Sequence, residues 1–481
     1  MEIPGPLLDS LHHVQGFDEQ SFLEAHRKPP PVSIRLNPAK VQDEENFLAN
    51  FGLPLQQALP GSTHEKTTSA GMPGSSSGIT STSRVPWCPS AFYLNERPVF
   101  TLDPVLHAGA YYVQEASSMF LHYLLNQLCA DEKDLRILDL CAAPGGKTTL
   151  ISSLPQVKLV VANEIIRTRV SILYENVVKW GNPNIMICQN DPSRFKQLAG
   201  YFDIMVVDAP CSGSGLFRKD KDALNEWSTA NVQHCAERQK RILADALPAL
   251  KEGGLLVYST CSYSKEEDED IMDWLMSNAD LESVHLPMPD EWGIIQSMSA
   301  TGAIGYRFFP GKLEGEGFFI CAFRLKNGRE GIFYGDEKPG FLAKNEGLLL
   351  KEWIDPAKSL EYLKVNNDIY ILPENILQDY MVLKQYINIR KAGVHAGSLA
   401  HGRFIPEHEL VMSSLLNQVS PRVQVNHEQA LQYLRKQAFS AGNGEKGWFV
   451  VDYNGFPLGL IKHLGNRINN YYPAAWRILM S

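Results

Sequence analysis

The chain is expected to fold as an α/β protein, a doubly wound and mostly parallel sheet covered by helices, and two observations predict this. Between about residues 106 and 326, five short apolar runs alternate with amphipathic segments: RILDL (136–140), KLVVANE (158–164), IMICQND (185–191), FDIMVVDAP (202–210) and GGLLVYST (253–260). Runs without polar alternation are those of strands buried on both faces, as in parallel sheets. Secondly, the runs close on polar or reactive residues: Asp139, Glu164, Asp191 and Asp208 after the first four, Cys261 after the fifth. In doubly wound sheets ligands bind just beyond the carboxyl ends of the strands.

The elements follow in order. Residues 1–105 mix short helical and extended signals, such as VSIRLNP (32–38), into an amino-terminal α/β extension. Within it, 61–85 is almost all Ser, Thr and Gly without apolar periodicity, which reads as a disordered loop. The central unit spans 106–326, with helix-like segments at 148–154, 167–180 and 230–252 between its strands. A Gly- and charge-rich linker is expected over 327–345, a first carboxyl-terminal domain over 346–425 and a last one over 426–481. In the last, YNGF (453–456) is a hairpin turn signal, followed by a basic, Asn-rich stretch.

Composition narrows the class. The chain has 481 residues, 44% hydrophobic and 21% charged, with a net charge of −9. This fits a soluble protein of several domains. No apolar run is long enough for a membrane span, and MEIPGPLLDSLHHVQGF lacks a signal peptide's layout, so a cytoplasmic location without membrane contact is expected. None of the eight cysteines forms a C-x-x-C pair, so no metal site is expected. Cys129, Cys188 and Cys321 lie in apolar runs and read as small core residues. Despite the acidic total, residues 385–481 carry ten Lys or Arg against five Asp or Glu, compatible with a local phosphate-binding surface.

The first motif is RILDLCAAPGGKTT (136–149). Its GGKT is not a phosphate loop, because Cys141 stands where that loop needs its first glycine; adjacent Gly145 and Gly146 also fail the dinucleotide fingerprint. What remains is a loop, Cys141, Ala142, Ala143, Pro144, Gly145, Gly146 and Lys147, whose backbone can approach a ligand at a helix start. Glu164, twenty-five residues after Asp139, is placed to bind ribose hydroxyls. With Asp191 and Asp208 it lines one sheet edge, a pattern that describes a nucleoside pocket.

The second motif is VVDAPCSGSG (206–215), a carboxylate and a thiol, Asp208 and Cys211, on one tight turn. A second thiol, Cys261, ends the next strand in YSTCSYS (258–264), and spacing alone does not say which is the nucleophile. Arg218 and Lys219 follow the first turn directly, and RQKR (238–241) lies on a nearby helix. In the tail Lys462, Arg467, Tyr471 and Tyr472 mix charge with aromatic faces, as RNA surfaces do.

LDLCAAPGGKTT, VVDAPCSGSGLFRKD and VYSTCSYSKEEDE, with GAYYVQEASSM (109–119) and EGEGFF (314–319), resemble the motifs of the Nop/Sun family of RNA cytosine-5 methyltransferases. RKAGVHAGSLAHGRFIPEHEL (390–410) and GFPLGLIKHLGNRINNYYP (455–473) are similar to the carboxyl-terminal parts of the family's bacterial small-subunit (16S) ribosomal RNA methyltransferase F branch. The resemblance implies a Rossmann-like class I methyltransferase fold and a PUA-like RNA-binding module at 426–481. It implies S-adenosylmethionine as cofactor, contacted by the loop 141–147 and by Glu164, Arg169, Asp191 and Asp208. It implies ribosomal RNA, free or in the small subunit, as partner, with Arg218, Lys219, Lys462 and Arg467 as candidate contacts. Finally, it implies that Cys261 attacks and that Cys211 helps release product.

The chemistry explains the residue types. Carbon 5 of cytosine is a poor nucleophile until a thiolate adds at carbon 6 and makes an enamine. A free thiol is only a few per cent ionised at pH 7 and needs help, for which Lys147 is the candidate cation. Asp208 is the candidate to hold a proton or accept one beside ring nitrogen 3 and the exocyclic amine, and to act as a donor its pKa has to be raised by burial. Two other expectations stand beside this one: a transfer-RNA cytosine-5 methyltransferase, and a non-catalytic RNA-binding assembly factor of the same fold.

Overall fold

The computed structural model describes residues 3–50, 84–335, 340–439 and 445–480. The Ser/Thr/Gly-rich segment lies outside them but for Arg84, which bridges to Phe92, and Val85, which is buried.

Five parallel strands form the centre: β1 (Leu135–Asp139), β2 (Val157–Asn163), β3 (Ile185–Cys188), β4 (Phe202–Asp208) and β5 (Leu250–Thr260). Their spatial order is 3-2-1-4-5, so the chain reverses direction across the sheet between β1 and β4. Successive residues point to opposite faces. Ile137, Val160, Val206 and Val257 enter one core, while Leu138, Val161, Met205 and Leu256 enter the other. That two-sided burial is why the strands read as unbroken apolar runs. The fold is thus a doubly wound, Rossmann-like sheet.

Antiparallel strands extend both edges. Phe318–Leu325 pairs with β5, and Ile304–Phe308 and Ile295–Met298 follow outward. At the far edge Ile389–Ala392 pairs antiparallel with β3, so the chain beyond the linker covers an edge that would otherwise expose unpaired backbone.

Several boundaries differ from those expected, among them helix 148–154, which runs Gly146–Ser152, and the fourth strand, which stops at Asp208. The third strand stops at Cys188, because the next residues turn into a short helical segment capped by Asp191. The long helix ends at Ala246, before Pro248, and β5 begins at Leu250, earlier than expected.

The extension contributes a three-stranded antiparallel sheet, Val32–Leu36 flanked by Ala91–Leu94 and Tyr111–Val113. Beyond the linker lie two four-stranded sheets. In the second, Gly447–Tyr453 and Phe456–His463 form the expected hairpin, with Asn454 and Gly455 both at positive φ (52° and 88°). Two positive φ values are what a two-residue turn needs to match the strand twist. The hairpin tip packs on the extension, Phe456 against Phe47 with ring centroids 5.6 Å apart.

Candidate active site

The site is built at the carboxyl ends of β1, β4 and β5. After Asp139 the loop 140–145 leads into helix Gly146–Ser152. Gly145 has φ +112°, and a Cβ there would come within 3.1 Å of Leu173 Cδ1. Arg35, from the extension, holds this turn from beneath. It is 2% exposed and donates to Gln114 Oε1 (2.9 Å), Gly146 O (3.2 Å) and Thr149 Oγ1 (2.7 Å). The sequence reading did not find Arg35, because its partners lie 79 to 114 residues away.

Asp139 is fully buried, and burial pushes its carboxyl up to about 7. Its Oδ2 accepts from Thr148 Oγ1 at 2.6 Å, while Oδ1 has no partner among the described residues. An unsatisfied buried acceptor costs about 1–3 kcal/mol, which a ligand's donor would offset. Glu164 is 3% exposed; its Oε1 accepts from Ile166 N at 3.0 Å and its Oε2 faces Arg169 at 3.2 Å. Arg169 also donates to Ala143 O at 2.7 Å, so it ties the loop to Glu164. Ile165 and Ile166, 50% and 49% exposed, add an apolar rim that a search for polar residues misses. Asp191 stands apart: its exposed carboxylate accepts from Ser193 N (3.0 Å) and Oγ (2.6 Å), which hold it below its ordinary range. Cys141 is half-buried with its thiol pushed up by burial, the state of a packing residue.

The two thiols meet. Cys211 Sγ and Cys261 Sγ are 2.9 Å apart, both half-buried. The Cys261 sulfur and burial together push the Cys211 thiol well above its ordinary range. Asp208, level with Ser259 in the strand register, accepts from Ser259 Oγ and from Lys147 Nζ, each at 2.8 Å. Lys147 also lies over the Phe318 ring, 5.1 Å from its centroid. Asp208 is the residue expected to hold or accept a proton beside the base. Its side chain is 35% exposed and faces two donors, Lys147 and Ser259.

The RNA-contact candidates divide. Arg218 turns inward: its side chain is 6% exposed, its Nε meets Glu316 at 3.0 Å, and it donates to Gly315 O (2.7 Å) and Ala25 O (3.2 Å). It therefore ties the thiol-bearing turn to the EGEGFF strand entry and is not an RNA contact, a correction that follows from the buried carboxylate opposite it. Lys219 is exposed. In the tail Lys462 lies 5.1 Å from the Trp448 ring centroid and Arg467 is exposed, whereas Tyr472 is 1% exposed and not available as a stacking face. Removing one partner of a buried ion pair leaves an uncompensated charge, so Arg218→Ala is expected to lower unfolding stability by ~3–5 kcal/mol. Urea titration checks this; a loss below 1 kcal/mol, with RNA affinity reduced instead, would return Arg218 to the RNA surface.

A cavity of about 600 Å³, lined by Tyr174, His408 and Trp476 among others, lies against the flank of helix Arg167–Trp180 and includes neither thiol. Among the described residues no group of three or more His, Cys, Asp or Glu is arranged to hold a metal, and no helix is long and apolar enough to cross a membrane.

Comparison with known proteins places this arrangement. A family model described as 16S rRNA methyltransferase RsmB/F matches residues 126–324. The RsmF PUA-domain model matches 420–478, and that for the N-terminal domain of 16S rRNA methyltransferase RsmF matches 42–116. Ribosomal RNA small subunit methyltransferase F of Shewanella sediminis (strain HAW-EB3) is 31% identical over 476 residues, covering 94% of this chain and 91% of its own. Its namesake in Enterobacter sp. (strain 638) is 28% identical over 473 residues, with the same coverage. Among solved structures, a methyltransferase homologue from Pyrococcus horikoshii matches with TM-score 0.51 and 26% identity, over 67% of this chain and all of that one. NSun6 from the same organism, solved with SFG, shares the fold at TM-score 0.52 and 19% identity, over 68% and 99% of the chains. Likeness that runs from the extension through the strand-end site to the PUA module shows that this chain is an RNA methyltransferase and belongs to the ribosomal RNA small subunit methyltransferase F family.

Proposed function

We propose that the chain methylates carbon 5 of a cytidine in small-subunit ribosomal RNA through a transient bond between Cys261 and carbon 6. The observation that carries this reading is the pair of thiols 2.9 Å apart beside the Lys147–Asp208 ion pair. A thiol is the nucleophile such a ring addition needs, and a second thiol at its side is a partner for proton transfer. Cys211, in contact with the Cys261 sulfur, is assigned the proton-transfer part, and that contact together with burial pushes its thiol up. Lys147 supplies the site's positive charge, and Asp208 orients that charge while facing the base.

The methyl donor proposed is S-adenosylmethionine, which supplies an electrophilic methyl when bound. The residues fit such a cationic nucleoside. Asp139 offers an unpaired acceptor, the buried Glu164 suits ribose hydroxyls, Ile165 and Ile166 offer an apolar rim, and loop 141–147 brings backbone close. In the reaction Cys261 Sγ adds to carbon 6, and carbon 5 becomes nucleophilic and takes the methyl. A base then takes the carbon 5 proton, the C–H electrons restore the 5,6 double bond, and the carbon–sulfur bond breaks to return the Cys261 thiolate, which regains a proton. The base has to leave its stack for this, at a cost of a few kcal/mol, which contacts of the exposed Lys219 and of the PUA module with the RNA would offset.

The test uses ribosomal RNA tritiated at carbon 5 of cytosine. Tritium release equal to the methyl incorporated is expected from small-subunit RNA. Release from transfer RNA alone would overturn the substrate, and methylation without release would overturn the position.

A further inference from the structure

Beneath the two thiols lies a carboxylate with no exposure to solvent, Glu267. Its Oε1 accepts from Ser212 N at 2.8 Å and Gln239 Nε2 at 3.1 Å. Its Oε2 accepts from Ser212 Oγ at 2.5 Å and Ser262 Oγ at 2.6 Å. Ser212 follows Cys211 and Ser262 follows Cys261, so one side chain grips the residue after each thiol. Four donors come close to filling the acceptor capacity of an ionised carboxylate. Burial pushes the Glu267 carboxyl above its ordinary range while these bonds pull it back, and no ion pair holds it among the described residues. Both of its oxygens are held by hydrogen bonds to the two turns.

The same two turns are joined on either side. Gly215 N donates to Cys261 O at 2.8 Å, and Tyr263 N donates to Ser214 Oγ at 2.8 Å. Gly215 permits this approach, since a Cβ there would sit 2.7 Å from Cys261 O and 2.4 Å from Gly317 O. These links hold the backbones together. Ser212 Oγ and Ser262 Oγ also meet each other at 3.4 Å, and Glu267 holds both of them with shorter bonds.

We propose that Glu267 is the positioning residue of the reaction: it sets the separation and facing of Cys211 and Cys261, and hence how well proton transfer and thiol release are coupled to attack. This rests on both thiols being working groups, as proposed above. Glu267 touches neither substrate nor cofactor and acts only through the turns.

Two readouts in the full-length protein test it. Misplacement of reacting groups by about 1 Å costs on the order of 100-fold in rate, so Glu267→Ala is expected to lower kcat at least tenfold with KM for cofactor unchanged. The second readout is geometric and independent of catalysis. Diamide takes two protons and two electrons from a thiol pair, becoming the hydrazine while a disulfide forms between Cys211 and Cys261. That cross-link should form at least about tenfold more slowly in Glu267→Ala than in the native protein, because thiol exchange requires access of one sulfur to the other. Glu267→Gln should recover part of both rates, since the serine hydroxyls can turn to accept from its amide. If kcat and cross-linking in Glu267→Ala both stay within twofold of native, the proposal is overturned. Should Glu267→Ala not fold, the pair Ser212→Ala, Ser262→Ala removes two of the four donors and is expected to slow both rates; unchanged rates there overturn it equally. Native protein that cross-links fast yet releases no tritium from cytosine would overturn the chemistry itself, and with it the catalytic part of this proposal.

Discussion

Cys261→Ala protein is expected to transfer no measurable methyl and to leave no RNA covalently attached. Without the sulfur at this position, carbon 5 has no route to the enamine, and the remaining groups only bind and orient. Losing a nucleophile of this kind costs on the order of 10⁴-fold or more in turnover, about 5.5 kcal/mol of barrier. The change is nearly isosteric at a half-buried position, so folding and cofactor binding are expected to survive. Methyl incorporation from labelled cofactor, with calorimetry of cofactor binding as the control, measures it. Turnover at native speed would end the covalent mechanism.

Cys211→Ala is expected to fail in the opposite way. Attack by Cys261 and methyl transfer proceed, but the partner thiol 2.9 Å away is gone, and the carbon–sulfur bond breaks slowly. A protein–RNA adduct that survives denaturation should therefore accumulate toward one per protein, while multiple turnover collapses. A denaturing gel with labelled RNA reads this directly. An adduct in Cys261→Ala and none in Cys211→Ala would exchange the two roles.

The pair of outcomes also bears on the asymmetry within the site. Two sulfurs in contact cannot both ionise readily, because each charge disfavours the other. Contact with the Cys261 sulfur and burial both push the Cys211 thiol up, a direction consistent with the attacking role proposed for Cys261. A single turn bearing a Pro-Cys pair does not convey this division of labour; it depends on the second strand.

Much of the fold was legible because it is local. The five apolar runs became the five parallel strands, helix 167–180 has the bounds its periodicity predicts, and the YNGF turn closes its hairpin. Cys129, Cys188 and Cys321 are buried, as their apolar surroundings required. The site was legible where a motif sits on a strand end: Asp139, Asp208 and Cys261 are there because a parallel sheet presents its carboxyl ends together. Asp191 shows the limit of that argument. Its carboxylate caps the turn after the third strand through Ser193, a partner that the strand-end pattern does not announce.

What the sequence by itself determined is the set of elements and the chemistry at their ends, since both follow from hydrophobic period, turn residues and short motifs within a few positions. Only the tertiary structure decided which groups meet. It turned Arg218 inward onto Glu316, brought Arg35 under the loop 140–145 and laid strand Ile389–Ala392 on the edge of the parallel sheet. It also seated Glu267 beneath the thiols 50 residues apart. The physical reason is that a buried charge or an open strand edge must find its partner wherever the packed chain provides one, at separations in sequence that no local pattern records.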